Sequence, residues 1–267
     1  MRHRTFNVIV LICGALFLVP LRGAAATIRA PLASILTTFT NGGDQAHTVA
    51  VVSAIKTSPR LVEQLNDLAA SGLLKGLAIN PSGAGRFQAT HQNGVISLTP
   101  QFIDNQTPAG GGDDALRSEI GARDIVFVLG YMASKLRTAQ DVTATDTKMM
   151  ADFRGLVATT PKGQSSDATE LVKQSQEAHL QDEARAYLEG WNDEIDAAMT
   201  AKGGLLAPRE AFQLLKESRN THVLFEAALL SPGDRLIPIG TLQFPPDEHN
   251  RRAVVSVLTH TTVPDFQ

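Results

Sequence analysis

The stretch RDIVFVLGYMASKLRTAQD, Arg123–Asp141, decides the fold because it predicts a helix that packs in the core. An apolar run, Ile125–Leu129, leads into Gly130, and further apolar residues follow at helical spacing. Apolar residues at this spacing usually form the buried face of a helix. We therefore expect a helix from about Asp124 to Ala139.

Capping residues and apolar spacing predict further helices on both sides of this stretch. Upstream, Ser58 and Pro59 begin a helix that Gly72 ends, and helical patterns precede it at Ile28–Phe39 and from Asp44. Downstream, the patterns predict a helix near Thr147–Val157, a long helix over Ala168–Ala201 before Gly203 and Gly204, a helix from Pro208 through SRNTHVLFEAALL, and a short helix in FPPDEHNRRAVVSVLTH.

Two segments predict strands, LLKGLAIN (73–80) and GRFQATHQNGVISLTP (85–100). Within the second, Asn93-Gly94 favours a tight turn and hence a hairpin. Such a small sheet needs a helical layer to cover it. The segment DNQTPAGGGDD, Asp104–Asp114, is a flexible loop by composition. We expect an α+β fold, mostly α-helical, with helices packed around a short antiparallel β-hairpin or small sheet.

The first 26 residues, MRHRTFNVIVLICGALFLVPLRGAAA, have the features of a cleaved secretory signal. Two arginines precede the apolar run Val8–Leu21, and Ala24 and Ala26 form the A-x-A pattern of a cleavage site. The run is shorter than the roughly 20 residues that span a bilayer, which disfavours a stable membrane anchor. We expect cleavage after Ala26, a periplasmic or secreted location, and one domain over residues 27–267.

The composition disfavours some classes of binding partner and of catalytic chemistry. The chain has 24 Lys and Arg against 27 Asp and Glu, and removal of residues 1–26 takes away three arginines and no acid. An acidic mature chain argues against a nucleic-acid partner. The single cysteine, Cys13, lies within the signal, so the mature chain would contain neither a disulfide nor a thiol nucleophile.

The long downstream helix contains DEARAYLEGWNDEI, Asp182–Ile195. It resembles the third-ligand helix of zinc metallopeptidase-like domains found among bacterial secreted toxins and effectors. The order of segments is similar too, over about Ser58–Glu194: an SPRLVEQLN helix, a hairpin, an apolar DIVFVLG helix, then EARAYLEGWN. Peptidases of this gluzincin kind bind zinc through H-E-x-x-H on one helix and a carboxylate on a later one. The resemblance implies a zincin-like arrangement with Glu183 matching the metal-binding Glu.

The H-E-x-x-H motif is lost at the matching positions. Tyr131 and Lys135 replace the two histidines, and Met132 replaces the general-base Glu. Neither a phenol nor an ammonium is a zinc ligand here at neutral pH, and no carboxylate remains to deprotonate a water. We therefore expect a pseudoenzyme with no catalytic residue, no metal and no cofactor at these positions or at Glu183.

The alternative is that GYMAS belongs to an ordinary core helix whose likeness to the motif is accidental. The distance between Lys135 and Glu183 distinguishes the two interpretations. If the site was lost, the Lys135 ammonium should lie within roughly 4 Å of a Glu183 oxygen and replace part of the metal's charge. If the likeness is accidental, the two helices should lie on different faces of the fold.

Other candidate sites rest on weaker patterns. His179 and Glu183 are four residues apart and could face one metal, although an exposed polar pair is commoner. Ser97 and Ser134 have no signature of an activated nucleophile. The glycines Gly110–Gly112 lack the Lys and Ser/Thr of a phosphate loop. The other histidines are scattered without ligand spacing: His47, His91, His222, His249 and His260.

Three functions remain open from the sequence. A protein with a toxin's shape but not its chemistry could bind the toxin or its target, as a periplasmic immunity or inhibitor protein with a protein partner. Its expected contacts are the loops NQTPAGGGDD and TTPKGQSSD, because loops carry adaptable recognition. The alternative is a periplasmic hydrolase with a rebuilt site that uses Glu183, Glu189 or Asp193 as acid and base. The third possibility is a plain periplasmic scaffold.

Overall fold

The computed structural model describes residues 26–42, 44–81, 89–106, 114–162 and 164–260. Residues 1–25, most of the predicted signal peptide, and the glycines Gly110–Gly112 lie outside the described residues. Within them the helices are α1 (Ala30–Gly42), α2 (Gln45–Thr57), α3 (Pro59–Ala70), α4 (Pro100–Gln106), α5 (Asp114–Thr159), α6 (Thr169–Lys202), α7 (Pro208–Glu217), α8 (His222–Ala228) and α9 (Glu248–His260). The strands are β1 (Gly76–Ile79), β2 (Ala89–Gln92) and β3 (Val95–Leu98).

The three strands form one small mixed sheet in the order β1-β3-β2. Strand β2 pairs antiparallel with β3, which confirms the predicted hairpin, and β1 pairs parallel with β3. The turn residues Asn93 and Gly94 both have a positive φ, 52° and 84°. A tight hairpin turn requires this left-handed backbone, and Asn-Gly adopts it at little steric cost. The expected α+β fold with mostly helical content is therefore confirmed.

Helix α5 corrects one prediction, because it runs without a break through the two helices expected at 124–139 and 147–157. The segment between them contains neither glycine nor proline. Its threonine hydroxyls donate back to carbonyls one turn earlier, Thr143 to Ala139 O at 2.7 Å and Thr145 to Asp141 O at 3.0 Å. The polar side chains are thus satisfied within the helix and do not end it.

Two further segments differ from the predictions. Helix α4 occupies the first residues of the expected loop 104–114, because Phe102 and Ile103 are buried and Thr99 Oγ1 accepts from the Phe102 N–H at 3.1 Å as a cap. The single helix expected from Pro208 is divided into α7 and α8. The Thr221 hydroxyl donates to the Leu215 carbonyl at 2.7 Å and so closes the end of α7.

The α5–α6 pair forms the centre of the core, and α2, α3, α4, α9 and the sheet pack against it. The largest fully buried side chains include Trp191 and Tyr187 on α6 and Phe127 on α5. The Trp191 indole donates to the Leu242 carbonyl at 2.7 Å, so its polar atom is also satisfied. None of the helices in the described ranges combines the length and apolarity that a bilayer span needs.

Two glycines lie where α5 and α6 touch. A Cβ atom built on Gly190 of α6 would lie 2.7 Å from the Phe127 carbonyl oxygen of α5. A Cβ atom built on Gly130 of α5 would clash with the Asp193 carboxylate of α6. At Gly190 the obstacle is backbone, so α5 and α6 pack closer there than any side chain would allow, whereas at Gly130 it is the end of a side chain. This close approach brings the polar side chains of the two helices together.

Candidate functional site

Tyr131 and Lys135 of α5 converge on Glu183 of α6. The Tyr131 hydroxyl donates to Glu183 Oε2 at 2.6 Å, and Lys135 Nζ lies 3.3 Å from the same oxygen. Residues four apart on a helix share one side, so Tyr131 and Lys135 reach the same carboxylate. The expected Lys135–Glu183 distance is confirmed, and the two helices lie side by side.

The ammonium of Lys135 has a second and closer carboxylate partner, Asp182. Lys135 Nζ lies 2.5 Å from Asp182 Oδ2, and the Thr138 hydroxyl donates to the other Asp182 oxygen. The Asp182 side chain is 6% exposed, that of Glu183 16% and that of Lys135 21%. Two nearly buried carboxylates thus share one cation, which removes most of the penalty of burying them unpaired. We call Tyr131, Lys135, Thr138, Asp182 and Glu183 the tyrosine–lysine cluster.

Strand β2 brings His91 close to this cluster. Burial lowers the pKa of His91, and the positive charge of Lys135 lowers it further, while Asp182 acts in the opposite direction. Sequence spacing gave no reason to place His91 here, because it lies more than 40 residues away from the helix positions that it faces.

The donor set of the cluster does not fit zinc. Tyr131 contributes a phenol and Lys135 an ammonium, and the Met132 side chain is a buried thioether. Across the described part of the chain, no group of three or more His, Cys, Asp or Glu side chains has the arrangement of a metal site. The phenol and the ammonium instead satisfy Glu183 by hydrogen bonding.

His179 and Glu183, which could have faced one metal from α6, do not come together. His179 Nε2 lies 2.9 Å from Asp146 Oδ1 of α5, whereas Glu183 contacts Tyr131 and Lys135. The two side chains are therefore held by different partners. Ser134 is buried on α5 and Ser97 lies within β3.

Glu189 and Asp193, the other acids of the hydrolase alternative, form a separate cluster with α3. Arg60 pairs with both carboxylates, with its Nε 3.0 Å from Asp193 Oδ1, and Gln64 Nε2 lies 3.2 Å and 3.3 Å from the two. Burial raises the pKa of Asp193, which is fully buried, and Arg60 opposes the rise. The structure does not bring these acids to Glu183, and a fully buried Asp193 cannot reach a substrate.

A third cluster of acids lies where α6 meets α5 and α7, and sequence reasoning missed it. Asp124 and Glu194 are each 1% exposed, and the Ser218 hydroxyl donates to Glu194 Oε2 at 3.1 Å. Burial raises the pKa of Asp124 to about 6. Burial and then repulsion by Asp124 raise the pKa of Glu194. The sequence feature that could have indicated this cluster is the acid-rich stretch WNDEID (191–196), which lies in a part of α6 that is buried on most sides.

Comparisons with known proteins found no relative: no protein-family model, no curated protein and no solved structure matches the chain.

Proposed function

We propose that this chain is a catalytically inactive, metallopeptidase-like protein that acts by binding another protein. The observation that carries the proposal is the convergence of Tyr131 and Lys135 on Glu183. In the proposed comparison, Tyr131 and Lys135 stand where the two histidines of H-E-x-x-H would be, and Glu183 supplies the carboxylate of the third ligand. A hydroxyl and an ammonium now hold the carboxylate, which leaves no imidazole nitrogen on α5 for a metal.

The surrounding architecture supports the zincin-like part of the proposal. The helix with the lost motif packs directly against the helix with Glu183, and the hairpin strands β2 and β3 contact the motif helix. This is the order of hairpin, motif helix and third-ligand helix that the sequence resemblance implies. A core helix with a merely accidental likeness would not need its Tyr and Lys to meet that carboxylate.

The proposed biological role is that of a periplasmic immunity or inhibitor protein for a related secreted toxin. The N-terminal A-x-A signal features support export to the compartment where such a toxin acts. The exposed loop TTPKGQSSD joins α5 to α6 and remains a candidate contact. The loop NQTPAGGGDD, which lies mostly outside the described residues, is the other.

The binding test uses the mature chain and a secreted peptidase with an intact H-E-x-x-H motif encoded beside its gene. We expect a stable one-to-one complex on size-exclusion chromatography and loss of peptidase activity in the complex. Replacing residues 160–167 with a Gly/Ser linker should weaken the complex if that loop is a contact. A folded mature chain that neither co-elutes with the peptidase nor reduces its activity would contradict the neutraliser role.

A further inference from the structure

Strand β1 forms one edge of the small sheet, and only its β3 side is paired with a strand in the described part of the chain. The N–H groups of Gly76 and Asn80 donate to carbonyls on the β3 side, at 3.4 Å and 2.9 Å. In a parallel pair, the N–H and C=O of one residue point to the same neighbour, and successive residues point to opposite sides. The backbone groups of Leu77 and Ile79 therefore point away from β3, to the free edge.

A groove runs between this free edge and α1. Its lining on the sheet side is β1 with the preceding Lys75, and on α1 it consists of residues at helical spacing: Ser34, Ile35, Thr38, Phe39 and Gly42. The cavity measures about 380 Å³, so the described side chains leave the space beside β1 open. Neighbouring strands of a sheet lie about 4.7–4.9 Å apart. A further strand beside β1 would therefore rest on α1.

Lys75 places a positive charge at the end of the groove where β1 begins. The residue is exposed, and its ammonium forms no salt bridge within the described ranges. The lining of the groove contains no Asp or Glu. Because interacting surfaces carry complementary charge, an unpaired cation beside an open strand edge favours a ligand with a carboxylate at that end.

We infer that this groove binds the extended C-terminal segment of a protein partner, which adds a fourth strand to the sheet antiparallel to β1. The backbone of the segment would exchange hydrogen bonds with the outward groups of Leu77 and Ile79, as when a peptide extends the edge of a sheet. The charge of Lys75 sets the direction. An antiparallel segment brings its terminal carboxylate to Lys75, whereas a parallel segment would bring its N-terminal end there.

The same edge of a second copy fits the groove less well. Residues 73–80 contain no acid, so two paired β1 strands would bring together two Lys75 side chains and no carboxylate. Lysine on an edge strand is a common means of preventing such pairing between copies. The charge at this edge therefore favours a different partner that supplies the carboxylate.

The test is an amide NMR titration of the isotope-labelled mature chain with a synthetic pentapeptide of alternating threonine and valine that has an acetylated N-terminus and a free C-terminal carboxylate. We expect saturable shifts centred on the amides of Leu77 and Ile79. Lys75→Glu should raise Kd about tenfold by reversing the charge, and Thr38→Phe, at an exposed position of the lining, should do so by filling the groove. The matched control is Lys173→Glu on α6, an equal charge change at an exposed position outside the groove, which should leave Kd within about twofold. Circular dichroism verifies that each variant is folded.

Two kinds of modified peptide separate the contributions of the carboxylate and of the backbone. The C-terminal amide should bind about tenfold more weakly, because it has no charge for Lys75. Methylation of every second peptide nitrogen should abolish binding in one of the two alternate sets, the one whose N–H groups donate to the carbonyls of Leu77 and Ile79. Methylation of the other set should leave binding intact, because those N–H groups point away from β1.

The absence of saturable shifts at Leu77 and Ile79 at millimolar peptide would overturn the inference, as would an affinity unchanged by amidation, Lys75→Glu and Thr38→Phe. Shifts of these amides when the protein alone is concentrated would show that a second copy occupies the groove, contrary to the inference. The inference rests on the proposal that the chain acts by binding a protein, but the titration contains no toxin. Peptide binding by a chain that forms no complex with the peptidase would contradict only the neutraliser role, and the reverse result would contradict only this inference.

Discussion

Replacement of Gly190 by alanine should destabilise the protein by about 1–3 kcal/mol, the range seen when atoms are forced into a packed core. The new Cβ atom would stand 2.7 Å from the Phe127 carbonyl oxygen and 3.3 Å from Tyr131. The carbonyl belongs to the backbone of α5 and cannot rotate away, so α5 and α6 would have to separate. Urea unfolding followed by circular dichroism measures the loss.

Gly155→Ala is the matched control, because it makes the same substitution within α5. Nothing lies within 4 Å of a Cβ atom at Gly155, which is exposed on α5. Alanine is favoured over glycine inside a helix by about 1 kcal/mol, so this variant should be more stable than the wild type. The two substitutions are thus expected to have opposite signs. A Gly190→Ala protein as stable as Gly155→Ala would show that the helices do not approach as closely as described.

The unfolding free energy should fall as the pH rises from 5 to 8. Burial raises the pKa values of Asp124, Asp193 and Glu194 in the folded protein, so the folded state binds more protons than the unfolded state does. The contribution of these three protonated carboxyl groups to the unfolding free energy is fully present below their pKa in the unfolded chain, near 4. It is lost as the pH rises through their pKa in the folded protein. For Asp124, with a folded pKa of about 6, the loss between pH 5 and 8 is about 1–2 kcal/mol, and the other two acids add to it.

Two histidines with shifted pKa values have opposite effects on this pH dependence. The raised pKa of His47, caused by its hydrogen bond to Asp104, acts in the same direction, and the lowered pKa of His91 acts against it. Urea unfolding at constant ionic strength gives the curve, and Asp124→Asn should make it shallower. A stability that is level or rises from pH 5 to pH 8 would mean that these carboxyl groups are not buried as described.

Much of the fold is predictable because local signals are strong. Ser58 with Pro59, the Asn93-Gly94 turn and the Gly203 cap each act within a few residues, and each is found at the expected place. The misplaced helix ends depend on longer-range contacts. Burial of Phe102 and Ile103 favours α4 within a loop-like composition. In the middle of α5, no glycine or proline interrupts the helix, and the threonine hydroxyls bond back to its own carbonyls.

The candidate site was only partly predictable. The four-residue spacing of Tyr131 and Lys135 fixes their common side of α5, and the resemblance of the α6 segment supplied Glu183 as the partner. Asp182 and His91 were missed, although Asp182 is the nearer partner of Lys135. No local sequence pattern indicates whether Asp182 or Glu183 lies nearer to Lys135, or that β2 brings His91 close to them. Both depend on how the helices and strands pack against one another.

The most direct test of the central claim is zinc analysis of the purified wild-type chain and of the triple variant Tyr131→His, Met132→Glu, Lys135→His. The account predicts no stoichiometric zinc in the wild type, because a phenol and an ammonium hold Glu183. It predicts about one zinc per chain in the folded triple variant, since two imidazoles would then face that carboxylate. A wild-type chain that retains one zinc per molecule after dialysis, or a folded triple variant that binds none, would contradict the account.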